Sequence, residues 1–256
     1  MNKEYDINER KQIICRLISE NGKVRVSDLK ELFSTSEVTI RKDIEELEAT
    51  GVLERVHGGA VSPSKNYFNL SFHQRKSKNM KEKEAIAKAA ANIVSDGDTV
   101  FINSGTTTYF LAQELRKRKK LSVVTNSIWV ASELSDINGI KVILLGGFYN
   151  LTYGFTYGDD AVNKIKTYYT DKCFLSVDGV TADNISTYHY EEAEVSRAMT
   201  ERSNQRIVLA DYSKIGKESF AAIKPITEID LIITNESVSG ENKNWLSETK
   251  AEVRYI

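Results

Sequence analysis

Apolar residues recur along this chain with two different periods, and the change of period divides it. Over residues 7–20, Ile14, Leu17 and Ile18 fall on one side of a helix, and Asn21-Gly22 supplies a stop. Lys23-Val24-Arg25-Val26 alternates polar and apolar as a brief strand, after which Ser27 is placed to cap a second helix burying Leu29, Leu32 and Phe33. Ser34-Thr35-Ser36 interrupts it. A third helix runs to Thr50-Gly51, with Ile40, Ile44 and Leu47 inward at i, i+4, i+7 and Val38, Thr39, Arg41 and Lys42 around the outer side. Residues 52–61 form two apolar pieces meeting at His57-Gly58-Gly59, as a small hairpin would. Helix, helix-turn-helix and hairpin in this order predict a winged helix-turn-helix domain over residues 1–62.

The stretch 63–79 reads as a linker. It opens on the turn-rich Pro63-Ser64-Lys65-Asn66, and six basic residues face one acidic residue between Lys65 and Lys83, which reads as a solvated, locally positive connection. From residue 80 onward, short and almost continuously apolar runs alternate with amphipathic stretches. Val100-Phe101-Ile102, Val123-Val124, Val142-Ile143-Leu144-Leu145, Phe174-Leu175-Ser176-Val177, Ile207-Val208-Leu209-Ala210 and Leu231-Ile232-Ile233 have the composition of strands buried on both faces. Amphipathic segments such as Glu84–Val94 and Glu191–Met199 lie between them and imply helical crossovers. The fold class expected for 80–256 is α/β with a mostly parallel sheet.

Composition adds exclusions. The chain has 256 residues, 41% apolar and 28% charged, with 35 basic and 36 acidic side chains, so disorder is excluded. No run of 18 apolar residues occurs and the opening residues lack a signal-peptide core, so no membrane partner and a cytoplasmic location are expected. Cys15 and Cys173 are far apart and read as small core residues. Residues 1–62 carry 10 Lys/Arg against 12 Asp/Glu, so overall charge does not advertise a nucleic-acid binder. Only the placement of the cations can.

In a parallel sheet, ligands gather beyond the carboxyl ends of the strands. Asn103-Ser104-Gly105-Thr106-Thr107-Thr108 follows the first strand and opens a helix, an arrangement in which free N–H groups and hydroxyls favour an anion; a tight turn with a capping Thr is the alternative. Thr125-Asn126-Ser127, Gly146-Gly147, Asp178-Gly179 and Asp211-Tyr212-Ser213-Lys214 follow other strands. Converging, they suit a phosphorylated sugar or polyol, with Lys214 and the Thr loop on phosphate and Asp178 and Asn126 on hydroxyls. No dinucleotide or nucleotide-binding glycine loop is present, so no cofactor is expected. The three histidines lack ligand spacing, so no metal is expected either. The aromatic stretch Phe148–Tyr157 suits lining the crevice or packing between subunits, with packing the favoured reading.

Glu9-Arg10 through Ala60-Val61, with Ser36-Glu37-Val38-Thr39-Ile40-Arg41-Lys42-Asp43-Ile44 and His57-Gly58-Gly59-Ala60, resembles the amino-terminal domain of DeoR-family bacterial transcriptional regulators. Ser104–Thr108, Thr125–Ser127, Leu145–Gly147, Asp211–Gly216 and Ile229–Thr234 resemble that family's effector domain in order, so nearly the whole chain is covered. The resemblance implies an effector domain similar in fold to ribose-5-phosphate isomerase. It further implies a homo-oligomeric (dimeric or tetrameric) repressor of carbohydrate genes that binds double-stranded operator DNA and responds to a phosphorylated sugar or polyol. The DNA-binding residues expected are Arg25, Ser36, Glu37, Val38, Thr39, Arg41, Lys42, Arg55 and His57. Those expected at the effector are Asn103, Ser104, Gly105, Thr106, Thr107, Thr108, Asn126, Gly146, Gly147, Asp178 and Lys214. Lys42 replaces the second Arg of the family's usual pair, and Asn103 stands where Asp is frequent. Two other readings stand beside this one: an aldose-ketose isomerase drawing a carboxylate from Asp178, Glu191 or Glu192, and a protein-interaction adaptor. No catalytic residue is assigned on the leading reading.

Overall fold

The computed structural model describes residues 5–21, 23–49, 53–56, 58–61 and 70–256. The expected helix stops at Gly22 and Gly51, the hairpin residue His57 and the stretch 62–69 lie outside them. Two compact units are present, Met1–Leu70 and Ser71–Ile256.

The first unit has the order α1 (Ile7–Asn21), β1 (Lys23–Arg25), α2 (Val26–Phe33), α3 (Glu37–Ala49), β2 (Glu54–Val56) and β3 (Gly59–Val61), with an antiparallel sheet ordered β1-β3-β2. Ile14, Ile18, Val26, Leu29, Phe33, Ile40, Ile44, Leu47, Leu53 and Ala60 make one core. Leu32, expected inside, is exposed. The second helix starts one residue before the expected cap. Arg25 occupies the N-cap position without a side-chain bond, because Val26 already belongs to the core, and Ser27 instead donates to Asp28. Ser34 ends α2 in the left-handed conformation at φ 50°, which turns the chain into α3. Beneath α3, Arg10 of α1 donates from Nε and Nη2 to the two oxygens of Asp43 at 2.8 and 3.2 Å, a buried bidentate pair that locks α1 onto α3.

The second unit comprises α4 (Phe72–Ser77), α5 (Met80–Ala91), β4 (Thr99–Ile102), α6 (Thr106–Leu115), β5 (Leu121–Thr125), α7 (Ile128–Leu134), β6 (Ile140–Leu144), β7 (Phe148–Asn150), β8 (Phe155–Tyr157) and α8 (Asp159–Ile165). It continues with β9 (Thr170–Ser176), β10 (Gly179–Val180), β11 (Asn184–Thr187), α9 (Tyr190–Glu201), β12 (Ser203–Leu209), β13 (Ala221–Pro225), β14 (Leu231–Thr234), α10 (Gly240–Ser247) and β15 (Glu252–Tyr255). A seven-stranded sheet runs β15-β14-β12-β9-β4-β5-β6, every pair parallel. Val100 and Ile102 enter a core with α5, α6 and α7 on one face, while Phe101 enters a second core on the other with α8 and α9. Both faces are thus covered, as the apolar runs require. A small antiparallel sheet, β10-β11-β13, and the hairpin β7-β8 flank it.

Two expectations need correction. Residues 72–77, read as linker, form α4 in the second unit. Ser71 caps it by accepting from the Gln74 amide while the Gln74 side chain accepts from the Ser71 amide, and Phe72 is buried against Trp129 and Tyr109. The aromatic stretch 148–157, read as packing between subunits, divides. Phe148, Tyr149 and Leu151 are exposed, but Tyr153 and Phe155 are buried against His189 inside the same unit.

Candidate functional site

Two groups of side chains stand out, one in each unit. In the first, the Ser36 hydroxyl caps α3 by accepting from the Thr39 amide (3.1 Å) and pairs with the Thr39 hydroxyl (2.9 Å). This fixes the helix entry and leaves Glu37, Val38, Arg41 and Lys42 exposed on the outer side. Arg41 reaches back one turn to Glu37 at 3.2 Å, and Lys30 of α2 lies 4.0 Å from the same carboxylate. Arg55 of β2 lies 3.7 Å from Glu45 and 4.0 Å from Glu48, while its amide donates to Glu48 at 3.0 Å, so this cation also fastens the hairpin to α3. Such exposed pairs are worth about 0–1 kcal/mol each and yield readily to a competing phosphate. An open groove of about 240 Å³ lies between α3 and the hairpin, lined by Val26, Arg41, Ile44, Arg55, Val56, Gly58 and Gly59. Arg25 is exposed at the start of α2.

In the second unit the sheet reverses its winding between β4 and β9. The loops after these strands flank the switch point, where a crevice forms in sheets of this kind. Ser104 to Thr108 leave β4 here. Gly105 packs so closely on Ser176 that a Cβ would overlap it. The Thr108 hydroxyl turns back to the carbonyls of Asn103 and Gly105. Thr106 and Thr107 are buried, and their hydroxyls make no hydrogen bond among the described residues. After β9 comes Asp178, 3.4 Å from Lys214 Nζ, and also accepting from the Thr187 hydroxyl (3.0 Å) and the Tyr188 amide (3.1 Å). Burial works against its charge, but Lys214, Arg75 and these donors together hold its carboxyl below the usual range.

Two further cations complete the cluster. The Arg75 guanidinium of α4 sits 4.2 Å over the Tyr153 ring. Lys83 of α5, only 1% exposed, donates to the carbonyls of Arg75 (2.7 Å) and Lys78 (2.6 Å) and so holds the end of α4. Burial, together with Lys214 and Arg75, pulls its ammonium down to about 8 against the opposing pull of Asp211 and Asp178. Asn79, between α4 and α5 at φ 49°, donates to Asp211 (3.0 Å) and Ser213 (3.3 Å), tying α4 to the Asp211–Lys214 turn.

The remaining expected residues serve the frame. Asn103 donates to the Ser176 carbonyl (3.0 Å) and Ser196 (3.1 Å) and accepts from the Ser176 amide (2.8 Å), so its amide stitches β4 to β9 and α9. An Asp could not make both donations. Asn126 donates to the Thr156 carbonyl at 3.1 Å, and its Oδ1 is buried without a partner among the described residues. Gly146 and Gly147 are exposed and make the turn from β6 into β7, Gly147 at φ 124°. Sequence reasoning missed Arg75, Asn79, Lys83 and Thr187 as members of the site, and named Glu192 only as a carboxylate for the isomerase reading. The six basic residues between Lys65 and Lys83 were the available signal for two of them.

A winged helix-turn-helix unit in one chain with an α/β unit of switch-point architecture defines a DNA-binding regulator that carries a small-molecule sensor. Residues 10–66 match the DeoR-like helix-turn-helix domain and residues 78–236 the DeoR C terminal sensor domain. The HTH-type transcriptional regulator GolR of Listeria innocua is 36% identical over 90% of this chain and 91% of its own. The lactose phosphotransferase system repressor of Streptococcus mutans is 35% identical over 89% and 91%, and the glycerol-3-phosphate regulon repressor of Escherichia coli 32% over 89% and 90%. The chain belongs to the DeoR family of transcriptional regulators, and of the readings left open by the sequence it is the regulator, not the isomerase. Among solved structures, ribose 5-phosphate isomerase from Methanocaldococcus jannaschii overlaps 54% of this chain and 55% of its own at 19% identity with a TM-score of 0.40.

Proposed function

We propose that this protein is a cytoplasmic, homo-oligomeric repressor of carbohydrate-metabolism genes whose hold on its operator is released by a phosphorylated sugar or polyol. The first turn of α3 enters the major groove, with Arg41 or Lys42 on guanine or phosphate, Thr39 and Glu37 on base edges and Val38 against a thymine methyl. Arg25, Arg55 and His57 hold the backbone. The effector's phosphate lies against the first-turn amides of α6, the Thr106 and Thr107 hydroxyls, Arg75 and Lys214, and its hydroxyls meet Asp178.

The observation that supports the effector reading is the burial of three cations, Arg75, Lys83 and Lys214, close to one another at the carboxyl ends of the strands. Asp178 and Asp211 already offset part of this charge, and an anion bound beside the three cations would add to that compensation. Relatives named as repressors of a lactose phosphotransferase system and of a glycerol-3-phosphate regulon agree with a phosphorylated metabolite. Selection of bound fragments from a genomic pool, followed by release with a panel of phosphorylated sugars, tests it. One enriched operator should be released by a phosphorylated compound and not by its unphosphorylated counterpart. Release by the neutral sugar alone, or no enriched fragment, overturns the reading.

A further inference from the structure

The Glu192 carboxyl at the start of α9 is buried. Its Oε1 accepts from the Ser104 hydroxyl, and its Oε2 lies 3.1 Å from Thr187 Oγ1, which in turn lies 3.0 Å from Asp178 Oδ2. A threonine hydroxyl has one hydrogen and can donate to one of these carboxyl groups only. Were both ionised, the other would face an oxygen lone pair at hydrogen-bond distance in a buried site. One more proton is needed, and the surroundings decide where it resides. Asp178 has the Lys214 ammonium and the Tyr188 amide at hand, whereas among the described residues the hydrogen-bonding partners of Glu192 are the hydroxyls of Ser104 and Thr187. The chain of donation therefore runs from Glu192 Oε2–H to Thr187, and from Thr187 to Asp178.

We propose that protonated Glu192 is the positioning residue of the sensor's anion site, holding Asp178 through Thr187, and that an anion entering beside Lys214 is bound with uptake of a proton at this carboxyl. The proposal rests on the reading of the crevice as an anion site. An anion on Lys214 takes a counter-charge from Asp178 and adds negative potential, and both changes favour the neutral form of Glu192. Burial and the neighbouring Asp178 already push Glu192 up to about 7, so near neutrality part of the population has lost this proton and regains it on binding.

The charged and titratable groups facing it are Asp178, Arg75 of α4 and Tyr153 of the β7-β8 hairpin, while Lys214 of the turn after β12 and His189 at the start of α9, itself beside Glu191, face Asp178. Lys83 lies one step further, beside Asp178 and Arg75. Burial lowers His189, away from the pH at which the uptake is read. Lys83 is therefore the competing source of proton uptake, and the experiment must tell the two apart.

Titration calorimetry of the full-length protein with sulfate, which does not itself titrate near neutrality, in two buffers of different ionisation enthalpy at pH 7 reads the uptake directly. About half a proton per site is expected, with affinity falling about tenfold from pH 6 to pH 8. Both effects should vanish in Glu192→Gln, whose amide donates to Thr187 and accepts from Ser104. Thr187→Val, which removes the hydroxyl between the two carboxyl groups, should reduce them. Sulfate binding without proton uptake, or with the same uptake in Glu192→Gln, overturns the proposal and leaves the anion site standing. Absence of sulfate binding overturns the anion site and the proposal together.

Discussion

Arg41 and Thr107 are the two side chains through which the proposed contacts can be tested with least disturbance to the fold. Arg41 is exposed and paired only across one helical turn, so Arg41→Ala should leave the melting temperature unchanged. It should weaken operator binding by roughly 5- to 150-fold, the equivalent of about 1–3 kcal/mol for one side chain reading a base, as fluorescence anisotropy of labelled operator would show. The Thr107 hydroxyl has no partner to lose among the described residues, whereas Lys214→Ala strands Asp178 in the interior. Thr107→Val should therefore keep operator affinity intact while raising the effector concentration needed for release by about fivefold, the value of one hydrogen bond. An unchanged release curve would remove Thr107 from the site. Glu192 gives a stability test of its own. Its folded-state carboxyl lies above the ordinary 4.5, near 7, so between these pH values the unfolded chain releases a proton that the folded chain keeps. The stabilisation is complete below pH 4.5 and falls away, by up to about 3 kcal/mol, as pH rises through 7. Urea midpoints of Glu192→Gln should lack this slope, so that the variant gains on the wild type between pH 5 and pH 8; parallel curves would place the proton elsewhere.

Among the elements, α3 depends on the Arg10–Asp43 pair beneath it, and Asp43→Asn, which leaves a buried guanidinium without its counter-charge, should cost about 3–5 kcal/mol. Differential scanning calorimetry should show the first unit melting earlier while the transition of the second stays in place. Elements with a clear period were legible in the sequence: α3 from Ile40, Ile44 and Leu47, and six strands of the large sheet from apolar runs, which fill both faces in the five inner ones but not in β6, an edge strand with Leu144 exposed. Those without one were not. In α4, Phe-His-Gln-Arg-Lys-Ser carries a single apolar anchor, and the helix is held by the Ser71 cap and by Lys83 eight residues beyond Arg75, a long-range bond that no periodicity records. The strands β10, β11 and β13 are short, and β15 is a half-exposed edge. The same limit applies to the site. Ser104, Asp178 and Lys214 follow apolar runs and could be found by that rule, whereas Thr187 and Glu192 straddle the start of α9, where a carboxylate reads equally well as a partner of the helix dipole.

For the molecule as a whole, one small winged-helix unit offers few contacts, and several copies on an oligomer would gain through effective concentration. Regulation then requires only that the effector prefer an arrangement unsuited to the operator. A coupling of about 1–3 kcal/mol corresponds to a roughly 5- to 150-fold response, and linkage makes it reciprocal. Saturating operator DNA should therefore weaken effector binding by the same factor by which effector weakens operator binding, and calorimetry with and without operator would show it; unequal factors at equilibrium would mean that a further binding event intervenes. One packing detail makes the sensor accessible to light. The indole of Trp129 is sandwiched between Phe72 at 4.9 Å and the bare backbone of Gly154 at φ 73°, and the chain has only one other tryptophan, Trp245. With Trp245 replaced by phenylalanine, ultraviolet emission would come from a single fluorophore touching both α4, which carries Arg75, and the turn that carries Tyr153, so the protein holds a built-in dye that reports on how these two segments are packed.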